Sequence, residues 1–156
     1  MFDDLILRPA VENDLPEIVR LLCEDELGAT RESFSNPLLP CYYEAFQEIT
    51  EDKNQILLVV ESQNKILGTC HLTFMPSLSF KGSKRLNIEN IHVQKLVQGQ
   101  GVGTLMIQKA IELGQEKGCK LIQLTTNKKR VRAKGFYEKL GFKASHEGMK
   151  LYLHQG

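Results

Sequence analysis

The sequence predicts an α/β fold, with one mixed sheet of about seven strands and helices on both of its faces. Three observations point to it. A strand-like run, LILRPA (Leu5 to Ala10), passes directly into a stretch of helical spacing. Two apolar runs, NQILLVVES and ILGTCHLTF, flank the short polar turn QNK and read as an antiparallel hairpin. Further on, RLNIENIHV gives way through closely spaced glycines to a second helical pattern and then to CKLIQLTT, which adds a parallel part.

Each element has its own reason. Pro9 stops the first strand, and in NDLPEIVRLLCEDEL the residues Leu15, Ile18, Val19 and Leu22 recur at the period of one helix face. Asn13 or Asp14 is placed to cap that helix, and Pro16 falls in its first turn, where a missing N–H costs little. NPLLPCYYEAFQEIT predicts a second, shorter helix after two prolines. The hairpin supplies strands two and three, MPSLSFKGSK is a loop, and RLNIENIHV is strand four. From Val102 a helix carries Val102, Leu105, Met106, Ala110 and Leu113 on one face and ends at Gly118. CKLIQLTT is strand five, and RAKGFYEKL is a short helix with Gly141 at its C-cap. GFKAS and MKLYLH predict a last pair of strands. With no repeat, low-complexity tract or linker, residues 1–156 read as a single domain.

At 156 residues the chain can build one ordinary core. An apolar share of 42% and a charged share of 25% are those of a soluble globular protein. The net charge of +1 supplies no field to draw nucleic acid or a membrane surface. The longest apolar run, ILLVV (Ile56 to Val60), falls far short of the roughly 20 residues a membrane span needs. MFDDLILRPA opens on aspartates rather than a basic region, unlike a secretory signal. Cys23, Cys41, Cys70 and Cys119 lie far apart with no CxxC pair. That spacing predicts buried free thiols in a reducing cytosol, not a metal site or disulfide scaffold. The expected location is cytoplasmic, with no metal, nucleic acid or membrane partner.

Most of the chemistry lies in NIHVQKLVQGQGVGTLMIQKAIELG, where Gly99, Gly101 and Gly103 separate strand four from a helix. A glycine-rich turn that opens a helix is a general anion site. The first helical N–H groups lack intrahelical partners, and the dipole adds roughly half a positive charge there. Glycine also lets backbone approach a phosphate without Cβ interference. A tight turn alone would equally explain the three glycines. Two nucleotide readings fail on spacing. A Rossmann fingerprint needs GxGxxG, whereas these glycines alternate and position 104 is Thr. A P-loop needs a lysine before its closing Ser or Thr, and GVGT has none.

QGQGVG does match Q/R-x-x-G-x-G/A, and FYEKLGF (Phe136 to Phe142) follows further on. Together they resemble the two signature segments of the GNAT superfamily, the N-acetyltransferases that use acetyl coenzyme A. The likeness covers almost the whole chain. LILRPAVENDLPEIVRLL is similar to that family's first strand and helix, and KILGTCHLTF to its third strand. One departure is visible: Arg130 stands where the family often carries an asparagine, and Asn127 lies further upstream.

The resemblance implies an acetyl-CoA-dependent N-acetyltransferase, acting by direct attack of a primary amine, with acetyl-CoA and an amine acceptor as its partners. By that likeness the N–H groups of Gln98, Gly99, Gln100, Gly101, Val102, Gly103 and Thr104 hold the pyrophosphate. Main-chain groups of Ile91 and Val93 pair with the pantetheine arm where strands four and five splay apart, and the Val93 N–H faces the thioester oxygen. Glu89 takes the amine proton, directly or through water, or binds the amine. His92 is an alternative proton acceptor or else packs or caps, and His71 is a candidate to line the acceptor pocket. Tyr137 donates to the departing thiolate. Asn127 and Arg132 are assigned to the cofactor, the basic run NKKRVRAK lying near the adenosine 3′-phosphate. A solvated face also explains that run, and no aromatic residue interleaves it as nucleic-acid binding would want. Glu24, Asp25, Glu26, Arg31, Tyr42 and Tyr43 are candidates to line the acceptor site; the acidic CEDE cluster would suit a small cationic amine, but a plain solvated helix end explains it better. A protein or peptide amine as acceptor, and a non-catalytic CoA-binding regulatory module, are the alternatives. Dimers are frequent in the family.

Overall fold

The structure, a computed structural model, describes residues 3–154. They form two compact units, one running to Gln123 and the other beginning at Leu124. Five strands build one sheet: β1 (Ile6–Pro9), β2 (Gln55–Ser62), β3 (Lys65–Met75), β4 (Lys84–Val93) and β5 (Cys119–Leu124), in spatial order β1-β2-β3-β4-β5. β1 to β4 are antiparallel neighbours, and the connection from β4 to β5 makes the sheet mixed. The larger unit also carries α1 (Leu15–Leu22), α2 (Glu26–Arg31), α3 (Pro40–Glu51) and α4 (Val102–Glu116). The smaller one carries α5 (Val131–Lys139).

The β2–β3 hairpin turns on Gln63 and Asn64, both at positive φ (49° and 65°), the backbone of a two-residue turn whose twist matches that of its strands. On one face of the sheet, Leu15, Ile18 and Val19 of α1 pack with Val59 and Ile66, and Tyr42 and Phe46 of α3 lie half-buried against them. On the other face α4 lies over β3 and β4, burying Val102, Met106, Ile107 and Ala110. The buried stripe of α4 therefore runs through Ile107 where the spacing predicted Leu105 and Leu113, which are only half-buried.

An ion network ties the first elements together. Arg8 donates to both oxygens of Asp14, at 2.7 and 3.0 Å, and to Glu61 of β2 at 3.2 Å. Asp14 does not cap α1 with its side chain as expected; its carboxylate instead accepts the Val11 N–H at 2.8 Å. The aspartate thus serves the 3-10 turn Glu12–Asp14 and the arginine, two donors that outbid the first amides of α1.

Several sequence expectations are corrected. The sheet has five strands rather than seven, because GFKAS and MKLYLH pair with no neighbour among the described residues. Met149, Leu151 and Leu153 are 94%, 87% and 83% exposed, so alternation there is not matched by burial. Alternation makes a strand only where a second backbone completes the ladder. α2 was not foreseen; Asp25 caps it by accepting the Gly28 N–H at 2.6 Å. The four cysteines are free, but only Cys70 is buried, its thiol pushed up to about 12 by burial, while Cys41 is exposed. No described helix is long and apolar enough to cross a membrane.

Candidate active site

The turn after β4 is built to leave amides uncovered. Gly101, the N-cap of α4, sits at φ 90° and ψ 2°, a left-handed conformation that costs an L-residue roughly 1–2 kcal/mol. No side chain caps the helix there. The first intrahelical bond runs from the Leu105 N–H to the Gly101 carbonyl, so the N–H groups of Val102, Gly103 and Thr104 have no partner within the helix. A Cβ at Gly99 or Gly101 would meet nothing within 4 Å, so the space beside both is open to a ligand. Side chains brace this turn from behind. Gln98 Nε2 donates to the Val93 carbonyl at 3.1 Å, and Glu24 accepts the Lys95 N–H at 3.0 Å.

β4 itself is broken at the place where the resemblance puts the pantetheine arm. Its register with β3 jumps from Thr69↔His92 to His71↔Glu89, so Asn90 and Ile91 together face Cys70. This is a β-bulge, and Asn90 sits in it at φ 53°. Beyond the bulge the Gln94 N–H bonds the Leu67 carbonyl at 2.8 Å. Antiparallel pairs alternate between bonded and non-bonded, so the Gly68–Val93 pair is non-bonded and the Val93 N–H points away from β3. Neither the bulge nor Asn90 entered the sequence reading. The available signal was an asparagine, a residue that tolerates positive φ, between glutamate and isoleucine within the strand.

Glu89 lies directly across from His71 on the neighbouring strand and is exposed, with the Asn87 amide donating to it at 3.1 Å. Burial pushes the His71 imidazole below its ordinary 6.5, an effect that the charge of Glu89 partly offsets. Gln55, another residue not foreseen, accepts from His71 Nε2 at 2.7 Å. The histidine is therefore a neutral ring at neutral pH with Nδ1 as its acceptor. His92 pairs with Thr69 in the ladder.

A cavity of about 170 Å³ opens between α1, α3 and the sheet, and Thr69, His71 and Asn90 form its polar end. Of the proposed acceptor-lining residues, Tyr42 and His71 reach this cavity. Tyr43 lines a separate groove with Glu12, Glu44 and Glu51. Glu24 and Asp25 are engaged by the Lys95 and Gly28 amides, and Arg31 donates to the Leu27 carbonyl at 3.1 Å. Glu26 sits in the first turn of α2.

In the smaller unit, Tyr137 is half-buried, its ring 5.3 Å from Phe136 and 6.1 Å from Phe142 in edge-to-face contact. The end of α5 explains that packing. The Phe142 N–H bonds the Tyr137 carbonyl and the Gly141 N–H bonds the Glu138 carbonyl, with Gly141 at φ 99°. These are the two bonds of a Schellman motif, which brings Phe142 onto Tyr137. Asn127 is exposed and accepts the Lys129 N–H at 2.9 Å, closing a turn that precedes α5. Arg132 is exposed on the first turn of α5.

Comparison with known proteins agrees with this geometry. A structure described as a transcriptional regulator from Bacillus halodurans C-125 superposes with a TM-score of 0.94 at 45% identity, covering 96% of this chain and 99% of that one. Glucosamine 6-phosphate N-acetyltransferase of Trypanosoma brucei brucei is 33% identical over 89 residues. That match takes in 57% of this chain and 58% of the relative, so the chain spans little more than half of that protein's length. Thialysine N-epsilon-acetyltransferase of Bos taurus is 26% identical over 144 residues, covering 88% of this chain and 83% of that protein. Residues 21–142, from the end of α1 through the Schellman turn after α5, match the acetyltransferase (GNAT) family, and the chain belongs to it.

Proposed function

We propose that the protein is an N-acetyltransferase that moves an acetyl group from acetyl-CoA to the primary amine of a small-molecule acceptor by direct attack. The observation that carries this is the uncapped start of α4 at left-handed Gly101, beside open space and just past a bulged β4. Backbone donors at a helix N-terminus suit a diphosphate without help from a cationic side chain. Acetyl-CoA would supply the acetyl group as an activated thioester.

The chain's own groups then have distinct tasks. Amides from Gln98 to Thr104 bind the pyrophosphate, and backbone of Ile91 and Val93 aligns the pantetheine arm. The Val93 N–H, directed away from β3, donates to the thioester oxygen as charge develops; one such donor is worth about 3 kcal/mol. An alkylamine is almost wholly protonated at neutral pH and must lose a proton to attack. Glu89 takes it, with neutral His71 directly opposite as a second acceptor. The amine nitrogen forms its bond to the carbonyl carbon and gives up its second proton to neutral His71, the carbon–sulfur bond breaks, and the sulfur leaves with the electron pair. Tyr137 gives that sulfur a proton. Asn127 and Arg132 are proposed contacts of the cofactor's nucleotide end, and the free thiols are consistent with a cytoplasmic location.

A second reading, a non-catalytic CoA-binding regulatory module, is favoured by the description of the Bacillus halodurans structure as a transcriptional regulator. One experiment separates the two. Thermal shift with acetyl-CoA, CoA and NAD tests the ligand, and free-thiol release across a panel of amines tests turnover. Stabilisation by acetyl-CoA together with amine-dependent thiol release is expected. Stabilisation with no thiol released by any amine would favour the regulatory module.

A further inference from the structure

We infer that the acceptor is a small primary amine carrying one apolar group, an aromatic ring or a branched aliphatic chain, which seats in the cavity between α1, α3 and the sheet. The inference rests on the acetyltransferase reading above and deepens it by naming the substrate class. The walls of the cavity decide the chemistry. α1 contributes Ile18 and Leu22, α3 contributes Ala45, Phe46 and Ile49 at helical spacing, and β2 contributes Leu57. No lysine, arginine, aspartate or glutamate lines it. A phosphate there would find no cation, and a polycation no carboxylate, so either would lose its hydration without a partner.

The polar groups present are mostly engaged already. Thr69 Oγ1 donates to the Leu58 carbonyl at 2.9 Å, and His71 Nε2 is held by Gln55. The Tyr42 hydroxyl donates to Glu32 and accepts the Ser33 N–H, both at 3.0 Å. A hydroxyl-rich sugar would therefore find few hydrogen bonds on offer. Asn90 is different: it sits at the β4 bulge and lines the cavity, with His71 and, across from it, Glu89 close by in the ladder. The arrangement is an apolar socket with its polar end at the strand where the amine would be deprotonated. At about 170 Å³ the socket resembles in size the cavity of about 150 Å³, lined by Leu, Ile and Phe, that accepts benzene.

The test is thiol release from acetyl-CoA by the full chain, with phenethylamine and isopentylamine set against spermidine and glucosamine 6-phosphate. The two apolar amines are expected to give kcat/KM at least tenfold above the others. Ala45→Trp and Leu22→Phe, which fill the socket from opposite walls, are expected to raise the KM for phenethylamine at least tenfold while the Kd for acetyl-CoA stays within about twofold. If spermidine or glucosamine 6-phosphate is the better substrate, or if neither filling variant changes the KM for phenethylamine, the substrate class is wrong while the acetyltransferase reading stands. If acetyl-CoA binds and no amine releases thiol, both readings fall together.

Discussion

Among single residues, the proposed function gives Gly101 the task of holding the cofactor and Tyr137 that of completing the reaction. At Gly101 a Cβ would touch nothing within 4 Å, so its cost is purely conformational. Gly101→Ala is expected to destabilise the fold by about 1–2 kcal/mol and to weaken acetyl-CoA binding at least tenfold, because the strained cap would swing the first amides of α4 off the diphosphate. Urea denaturation and calorimetric Kd measure the two effects; unchanged affinity would place the pyrophosphate elsewhere. Tyr137→Phe keeps the ring that packs on Phe136 and Phe142 and removes only the hydroxyl. Turnover is expected to fall by about 100-fold, the scale of a lost general acid, with acetyl-CoA affinity within about twofold. Equal loss of both would make Tyr137 a packing residue. The two were singled out in the sequence on different grounds: Gly101 by local chain chemistry, a glycine in the turn that opens a helix, and Tyr137 by the resemblance of FYEKLGF to the family's second signature.

Elements were readable where their signals are local, and unreadable where a second strand decides. α4 and the Gln63–Asn64 hairpin follow from period and turn chemistry over a dozen residues or fewer, and the structure has both. The bulge at Asn90 and Ile91 depends on how β4 is paired against Cys70, which no window along β4 contains. The same limit explains the missing final strands: MKLYLH alternates correctly, yet alternation cannot announce a partner. Asp14 was misplaced for a related reason: the Arg8 guanidinium that takes its carboxylate is also held by Glu61 of β2, which lies far along the chain from the start of α1. The end of α5 is the opposite case, wholly local. Gly141→Ala forces a non-glycine residue to φ 99°, at a cost of about 1–2 kcal/mol. It is expected to speed hydrogen exchange of the Phe142 and Gly141 amides and to lower turnover, because Phe142 would leave the Tyr137 ring. Unaltered exchange at those amides would mean the Schellman bonds do not hold that ring.

Across the molecule, the dependence of stability on pH joins the site to the frame that holds it. Apart from exposed Asp52, two groups bind protons less readily folded than unfolded. Burial lowers His71 below 6.5, so as pH falls through 6.5 the unfolded chain takes up a proton that the folded chain refuses, and stability declines. Asp14 acts at lower pH. Burial raises its carboxyl, but hydrogen bonds from Arg8 and the Val11 amide, together with the arginine's charge, outweigh that and hold it below 3.8. Its stabilisation is complete above that value and is lost as pH drops below it toward the folded pKa. The urea midpoint is therefore expected to fall in two stages, between pH 7.5 and 5.5 and again below pH 4. His71→Gln should flatten the first stage alone. Asp14→Asn should flatten the second and cost about 1–3 kcal/mol at pH 7, the range for hydrogen bonds to a charged group. Urea titrations of the three proteins across that range measure it. A wild-type midpoint unchanged from pH 7.5 to 5.5 would mean that His71 is as well solvated folded as unfolded, and its role as a neutral proton acceptor beside Glu89 would go with it.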